Sequence, residues 1–552
     1  MGGAGLPRAD EAVSQLPDPW LQGLHDGWKV QGHQSAPPPQ VTCDVVVVGT
    51  GAGGGLTAEL LARAGFDVLM LEEGPLKTSR DFNQLESEAY PTLYQESAAR
   101  KTADKAITIL QGRCVGGSTT VNWTSSFRTP SATLAHWRQH FGLAELTDDA
   151  LSPYFQQAER RLHISPWLVP PNENNDLLRR GAAKLGISSA AILRNVKGCW
   201  NLGSCGMGCP TNAKQSMLLT GVPTALAHGA TLMVNTRAVR LVVEQGRVKS
   251  LVAEFSKPKQ AVTLDGQAVA AIEIKAKHFV VAGGAINSPA LLMRSGLSDP
   301  HARLGQRTFL HPVVMSAATH AQRVEGWSGA PQTIYSDHFL ETEPIDGSMG
   351  YKLEAPPIHP VIFASSIPGF GQAMAAMLKA FPHQHILLAL LRDGFATESP
   401  GGQVTLRSDG SPVLDYPLNG FVMEGARRAL LTMAEIQFAA GARQVLPVHE
   451  MADPCTSWAQ ARDVIGRLPM QPLLSRVVSA HVMGGCGMAD SAAQGVARPD
   501  GQHRGVANLS VHDGSLFPTS IGANPQLSIY GLVNWLTQQL IARLGGTPEA
   551  LA

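Results

Sequence analysis

The feature that most limits what this chain can fold into is Val45-Val-Val-Val48 followed at once by Gly49-Thr-Gly51-Ala52-Gly53-Gly54. Four consecutive valines read as a strand buried on both faces. A glycine-rich turn that leads straight into helix-forming sequence marks the first βαβ turn of a doubly wound nucleotide-binding fold. The glycines divide the work: Gly49 makes the tight turn, Gly51 lets a pyrophosphate approach, and Gly54 brings helix against strand. Amides at the start of that helix face the phosphates. Glu72, 21 residues after Gly51, ends the next strand, where a carboxylate takes the ribose hydroxyls. This fingerprint does not by itself separate FAD from NAD.

Two more short apolar runs, His278-Phe-Val-Val-Ala-Gly and Leu509-Ser-Val-His-Asp-Gly, end like strands whose C-terminal ends line a nucleotide crevice. The cofactor fold is therefore expected to assemble from distant segments. Its class is α/β, a Rossmann-type FAD-binding domain with a discontinuous, sheet-containing substrate-binding domain. The expected division is a 1–40 extension and linker, then a mainly FAD-binding part over 41–320 with a cysteine-containing insertion near 195–215. A mainly substrate-binding part spans 321–475, and 476–552 returns to the FAD-binding domain. Trp20, Leu21, Leu24 and Trp28 are spaced for a short amphipathic helix. At 552 residues the chain exceeds one ordinary core. Its 44 basic and 44 acidic residues leave no basic excess for nucleic acid. No uninterrupted apolar segment opens the chain as a secretion signal does, and no 18-residue apolar run spans a bilayer. Seven cysteines over this length suit a reduced, cytoplasmic protein rather than a disulfide framework. Met374 to Leu391 is apolar enough for a core element or tunnel wall, with peripheral membrane contact as the alternative.

Three further segments name a family. Gly112-Arg-Cys-Val-Gly116-Gly117-Ser118-Thr-Thr-Val-Asn122 resembles the flavin-side segment of the glucose–methanol–choline (GMC) oxidoreductases. Gly284-Ala-Ile-Asn-Ser-Pro-Ala-Leu-Leu-Met-Arg-Ser-Gly-Leu resembles that family's second signature, departing at Ser298, where a glycine is usual. His481-Val-Met-Gly-Gly-Cys, Val511-His-Asp513-Gly514-Ser and Gly522-Ala-Asn524-Pro525 resemble its catalytic region. The resemblance runs from about 44 to 540, nearest the long-chain alcohol oxidase and cholesterol oxidase-like branch. It implies non-covalent FAD, held at the fingerprint and by Gly112, Gly116, Gly117, Ser118, Asn122, Val239, Gly283, Asp513, Gly514, Asn524 and Pro525.

The resemblance also implies oxidation of an alcohol by hydride transfer to flavin N5, with the electrons passing to oxygen or another acceptor. Such a reaction needs a base for the hydroxyl proton. Histidine, with an unperturbed pKa of roughly 6.5, is suited to the task, and His481 stands at the family's active-site position. Asn524 stands where the family carries His or Asn; an amide donates and accepts without titrating. His311 and His503 read as structural. The small residues after His481, with Asn524-Pro525, point to an apolar alcohol: a long-chain fatty alcohol, terpenoid or sterol. Cys199, Cys205 and Cys209 resemble both the cysteine stretch of long-chain alcohol oxidases and that of a membrane-associated sugar dehydrogenase branch. Structural thiols are the expected reading and no metal is assigned. An iron–sulfur cluster serving a dehydrogenase is the alternative, and a GMC-fold hydroxynitrile lyase is another.

Overall fold

The computed structural model describes residues 16–33, 35–256, 270–340 and 342–551. Gln40–Val48 lies in the middle of an eight-stranded sheet, parallel to Val68–Leu71 on one side and Ala270–Val281 on the other. Thr231–Met233 and Lys29–Gln31 extend the sheet beyond Val68–Leu71, still parallel. Leu509–Val511 pairs in parallel with the end of Ala270–Val281. The antiparallel hairpin of Thr236–Glu244 and Arg247–Phe255 completes the sheet. All four strands expected from sequence are therefore present, in one sheet. Val45, Val46 and Val47 are fully buried, as a strand covered on both faces requires.

The turn after Gln40–Val48 opens the helix Ala52–Arg63, which packs against the C-terminal helix Gln526–Arg543. Gly49 has φ +100°, a left-handed conformation that needs glycine. A Cβ on Gly53 would run into the His512 carbonyl, and one on Gly54 into the Gly49 carbonyl. Helix, turn and returning strand are thus in backbone contact.

A second eight-stranded sheet is built on Val313–Thr319, which pairs antiparallel with Gln384–Leu391 and with Gln444–Pro447. Tyr351–Glu354, Ile334–Ser336 and Ala190–Ala191 continue beyond Gln384–Leu391, while Val477–Ser479 and Ile107–Ile109 lie on the other side. The long helix Gly420–Ala439 covers it. The division expected at 320 and 475 does not partition the sheets: 107–109, 190–191, 313–319 and 477–479 all join the second one. Strand pairing across hundreds of residues, invisible to local pattern, decides that membership. Gln403–Leu406 and Pro412–Asp415 form a separate antiparallel hairpin. The apolar stretch from Met374 is two elements: the largely exposed helix Gly371–Lys379 and the buried strand Gln384–Leu391. Pro19–His25 is the expected N-terminal helix, with Trp20 buried. Among the described residues no helix is long and apolar enough to cross a membrane.

The interior holds an unusual number of neutral histidines. Burial pushes His278 and His512 down to about 3, and His503 to about 4. Unfolded, these rings titrate near 6.5, so the unfolded chain binds protons that the folded one refuses. Their contribution to stability is complete above about pH 6.5 and is lost as pH falls toward 3–4, each ring contributing up to about 1.4 kcal/mol per pH unit in that window. The thermal midpoint is expected to drop steadily from pH 7 to pH 5, and His512→Gln, which retains hydrogen-bonding groups toward Thr57 and Thr537, to soften the drop. A midpoint constant down to pH 4.5 would contradict this.

Candidate active site

A cavity of about 700 Å³ opens where the two sheets meet. One end is walled by Gly49, Thr50, Gly51, Ala52, Gly53 and Glu72, the other by His481, Asn524 and Pro525; Gly112, Gly117, Ser118, Asn122, Gly283, Asp513 and Gly514 lie along it. These predicted residues come together. Gly54, Gly116 and Val239 do not face the space. Gly54 is pressed on the Gly49 carbonyl, and Gly116, at φ +85°, lies against Leu218. The Val239 carbonyl accepts from Arg294 Nε at 2.8 Å, and the wall there is formed by Arg237 and Ala238 instead. Val239 is the extra residue of a bulge, between the pairs Val252–Arg240 and Ala253–Ala238, which breaks the simple alternation there.

The nucleotide end fits FAD by its own geometry. The helix Ala52–Arg63 starts without a side-chain cap, which leaves its first amides for an anion. A Cβ on Gly51 would meet nothing closer than Gly117 Cα at 4.0 Å, so open space lies over the turn. Glu72 is almost fully buried. It accepts from Thr50 N at 3.2 Å, Thr50 Oγ1 at 2.6 Å and Gly74 N at 2.9 Å, and burial raises it to about 7. Thr50 Oγ1 in turn accepts from Gly116 N at 3.0 Å, which joins the fingerprint to the 112–122 segment. Asp513 joins the C-terminal motif to the middle one: it accepts from Gly284 N at 2.8 Å and Ser288 Oγ at 2.5 Å.

At the other end, His481 follows the strand Val477–Ser479 and Asn524 precedes the helix Gln526–Arg543, so the pair comes from both halves of the molecule. Burial, and then the positive charge of Lys352, push His481 down to about 3. Its Nδ1 lies 3.1 Å from Nδ1 of His311, and the two rings stack with centroids 5.3 Å apart. Its Nε2 has no protein partner and, unlike Nε2 of His311, is not closed off. Asn524 is oriented by a buried ion pair. Its Oδ1 accepts from Lys352 Nζ at 3.4 Å, and its Nδ2 donates to Glu354 Oε2 at 3.3 Å. Gln332 Nε2 also donates to Glu354, at 2.9 Å. Burial lowers Lys352 to about 8 and raises Glu354, each opposed by the other's charge.

His311, Lys352, Glu354 and Gln332 are brought to this end of the cavity by the fold and belong to none of the motifs. Lys352 and Glu354 alternate with apolar residues in Tyr351–Glu354, a signal of two inward charges that only a known core would have made legible. The three clustered cysteines are free and partly exposed. Cys199 accepts from Asn201 N at 3.4 Å, Cys209 lies 3.5 Å from Thr211 Oγ1, and Cys205 lies 3.9 Å from Arg194. No group of three His, Cys, Asp or Glu among the described residues is arranged to hold a metal ion. The donor set for an iron–sulfur cluster does not fit.

The chain matches the family models of the N-terminal and C-terminal parts of GMC oxidoreductases over residues 90–313 and 397–532. A GMC-type oxidoreductase of Mycobacterium tuberculosis is 33% identical over 98% of this chain and 81% of its own length. A long-chain-alcohol oxidase of Arabidopsis thaliana is 29% identical over 90% of this chain and 68% of its own. The crystal structure of pyridoxine 4-oxidase from Mesorbium loti superposes with a TM-score of 0.67 at 20% identity, covering 90% of this chain and 99% of that one. Fold, cavity and motif order agree with these matches, and the chain belongs to the GMC oxidoreductases, as an FAD-dependent oxidoreductase.

Proposed function

We propose that the protein oxidises an apolar primary or secondary alcohol to the aldehyde or ketone. The observation that carries this reading is His481: a neutral imidazole at the end of the FAD cavity, its Nε2 free of protein partners, beside an amide whose orientation is set. FAD, when bound, supplies the hydride acceptor. The chain's own groups do the rest. His481 takes the hydroxyl proton at Nε2 as the hydride leaves the carbon. Asn524, with one N–H engaged by Glu354, has a second to donate to the substrate oxygen. The apolar part of the wall lowers the local dielectric and strengthens both interactions.

The apolar substrate class rests on Leu110, Val121, Trp123, Val482 and Ile529 in the cavity wall, and on relatives described as long-chain-alcohol oxidases. FAD is held without a covalent bond: among the described residues the wall offers no cysteine, and its histidine is the base itself.

Heating purified protein should release FAD at about one per chain. Gly51→Val, which fills the open space over the turn, should abolish retention; a chromophore that stays with the denatured chain would overturn the non-covalent assignment. Anaerobic addition of a long-chain alcohol should bleach the flavin. His481→Ala should slow bleaching by ~10²–10⁴-fold with FAD still bound, and a variant reducing at more than a tenth of the normal rate would exclude His481 as base. The pH dependence has a definite sign. Because the folded-state pKa of His481 is depressed, the ring stays unprotonated as pH falls from 8 to 6, and no base limb near 6.5 should appear in the bleaching rate. A limb centred at 6–7 that vanishes in His481→Gln would show a ring far more solvated than this pocket allows.

A further inference from the structure

We propose that His311 is a positioning residue for the reaction: it accepts a hydrogen bond from Nδ1–H of His481 and so holds the base in the one tautomer that leaves Nε2 bare. The inference rests on the reading of His481 given above and assigns the proton that reading requires.

The two Nδ1 atoms lie 3.1 Å apart, within hydrogen-bond range, and both rings are neutral at neutral pH. One proton therefore lies between them. If His311 donated it, His481 would carry its own proton on Nε2 and could not take another from an alcohol. If His481 donates, Nε2 presents a lone pair to the cavity. A free histidine side chain leans to the Nε2–H form, so the productive tautomer needs an acceptor at Nδ1, and His311 is the acceptor placed there. Full burial, with His481, Lys352 and Arg392 as its positive or potentially positive neighbours, holds its pKa well below 6.5, so the ring is uncharged and can accept.

The backbone shows that His311 is held for this contact. It sits at φ +48°, a left-handed conformation that is strained for a non-glycine residue. The buried carboxylate of Asp393 fixes it there: Oδ1 accepts from His311 N and Oδ2 from Leu310 N, both at 3.0 Å, and Tyr416 Oη donates to Oδ2 at 2.7 Å. Among the described residues Nε2 of His311 is buried with no partner, and Nδ1 is its hydrogen-bonding ring atom.

The test is the tautomer itself, read by nitrogen NMR on FAD-loaded protein carrying ¹⁵N-histidine, with the His481 signals assigned through His481→Gln. His481 should show a protonated Nδ1 and a bare Nε2, and His311→Leu should convert it to the Nε2–H form. In anaerobic stopped flow with a long-chain alcohol, His311→Leu should slow bleaching by ~10–100-fold, the usual worth of a residue that orients a reacting imidazole, with the half-saturating alcohol concentration unchanged. His311→Asn, whose side-chain carbonyl can accept the same hydrogen bond, should recover most of the rate. An Nε2–H tautomer in the unaltered protein, or an unchanged tautomer in His311→Leu, overturns the proposal. Should no alcohol bleach the flavin, the functional reading fails, while the NMR result still decides the assignment of His311.

Discussion

The structure depends on close backbone contact between the glycine turn at 49–54 and the chain returning at 512–513. Gly53 lies so near the His512 carbonyl that no Cβ fits between them. Asp513, the next residue, binds Gly284 and Ser288 at the start of another helix. Segments more than two hundred residues apart are thereby locked into one wall, and the cavity exists because they meet. A larger residue at 53 would push the C-terminal segment away, taking with it Asn524 and the helix that follows. Cofactor site and catalytic site share a single packing constraint.

At the far end the governing effect is exclusion of water. The same burial keeps His481 and His311 uncharged and allows Lys352 and Glu354 to persist only as a pair. An unpaired buried charge costs several kcal/mol, so the pair's geometry is held firmly, and with it the two ends of the Asn524 amide. Cation–π contacts of Lys352 with Phe127 and Tyr335 enclose the ammonium further. The pocket therefore presents one titratable nitrogen to the cavity beside one fixed amide, set in apolar surroundings.

Much of this was legible without coordinates because it is local. Valine runs, glycine spacing and a carboxylate some twenty residues on are constraints within a single βαβ unit, and Gln40–Val48, Ala52–Arg63 and Glu72 sit where that pattern puts them. His481, Asn524 and Asp513 were legible through resemblance, as members of motifs in order. Val239 shows the limit of such reading, since it falls at a bulge in the strand and its carbonyl is taken by Arg294.

Other features belong to the tertiary structure alone. His311 is 170 residues from His481, and nothing in His-Pro announces that their nitrogens lie in contact. Lys352 and Glu354 become site residues only because Tyr351–Glu354 pairs inside the second sheet beneath Asn524. The three cysteines could be judged only once each had its own surroundings. The sequence by itself determined the nucleotide turn and the family, and singled out His481 as the proposed base, because those follow from short-range geometry and residue chemistry. The tertiary structure alone decided which groups surround His481 and Asn524, because long-range strand pairing and burial place those groups, and neither can be read from neighbours in the chain.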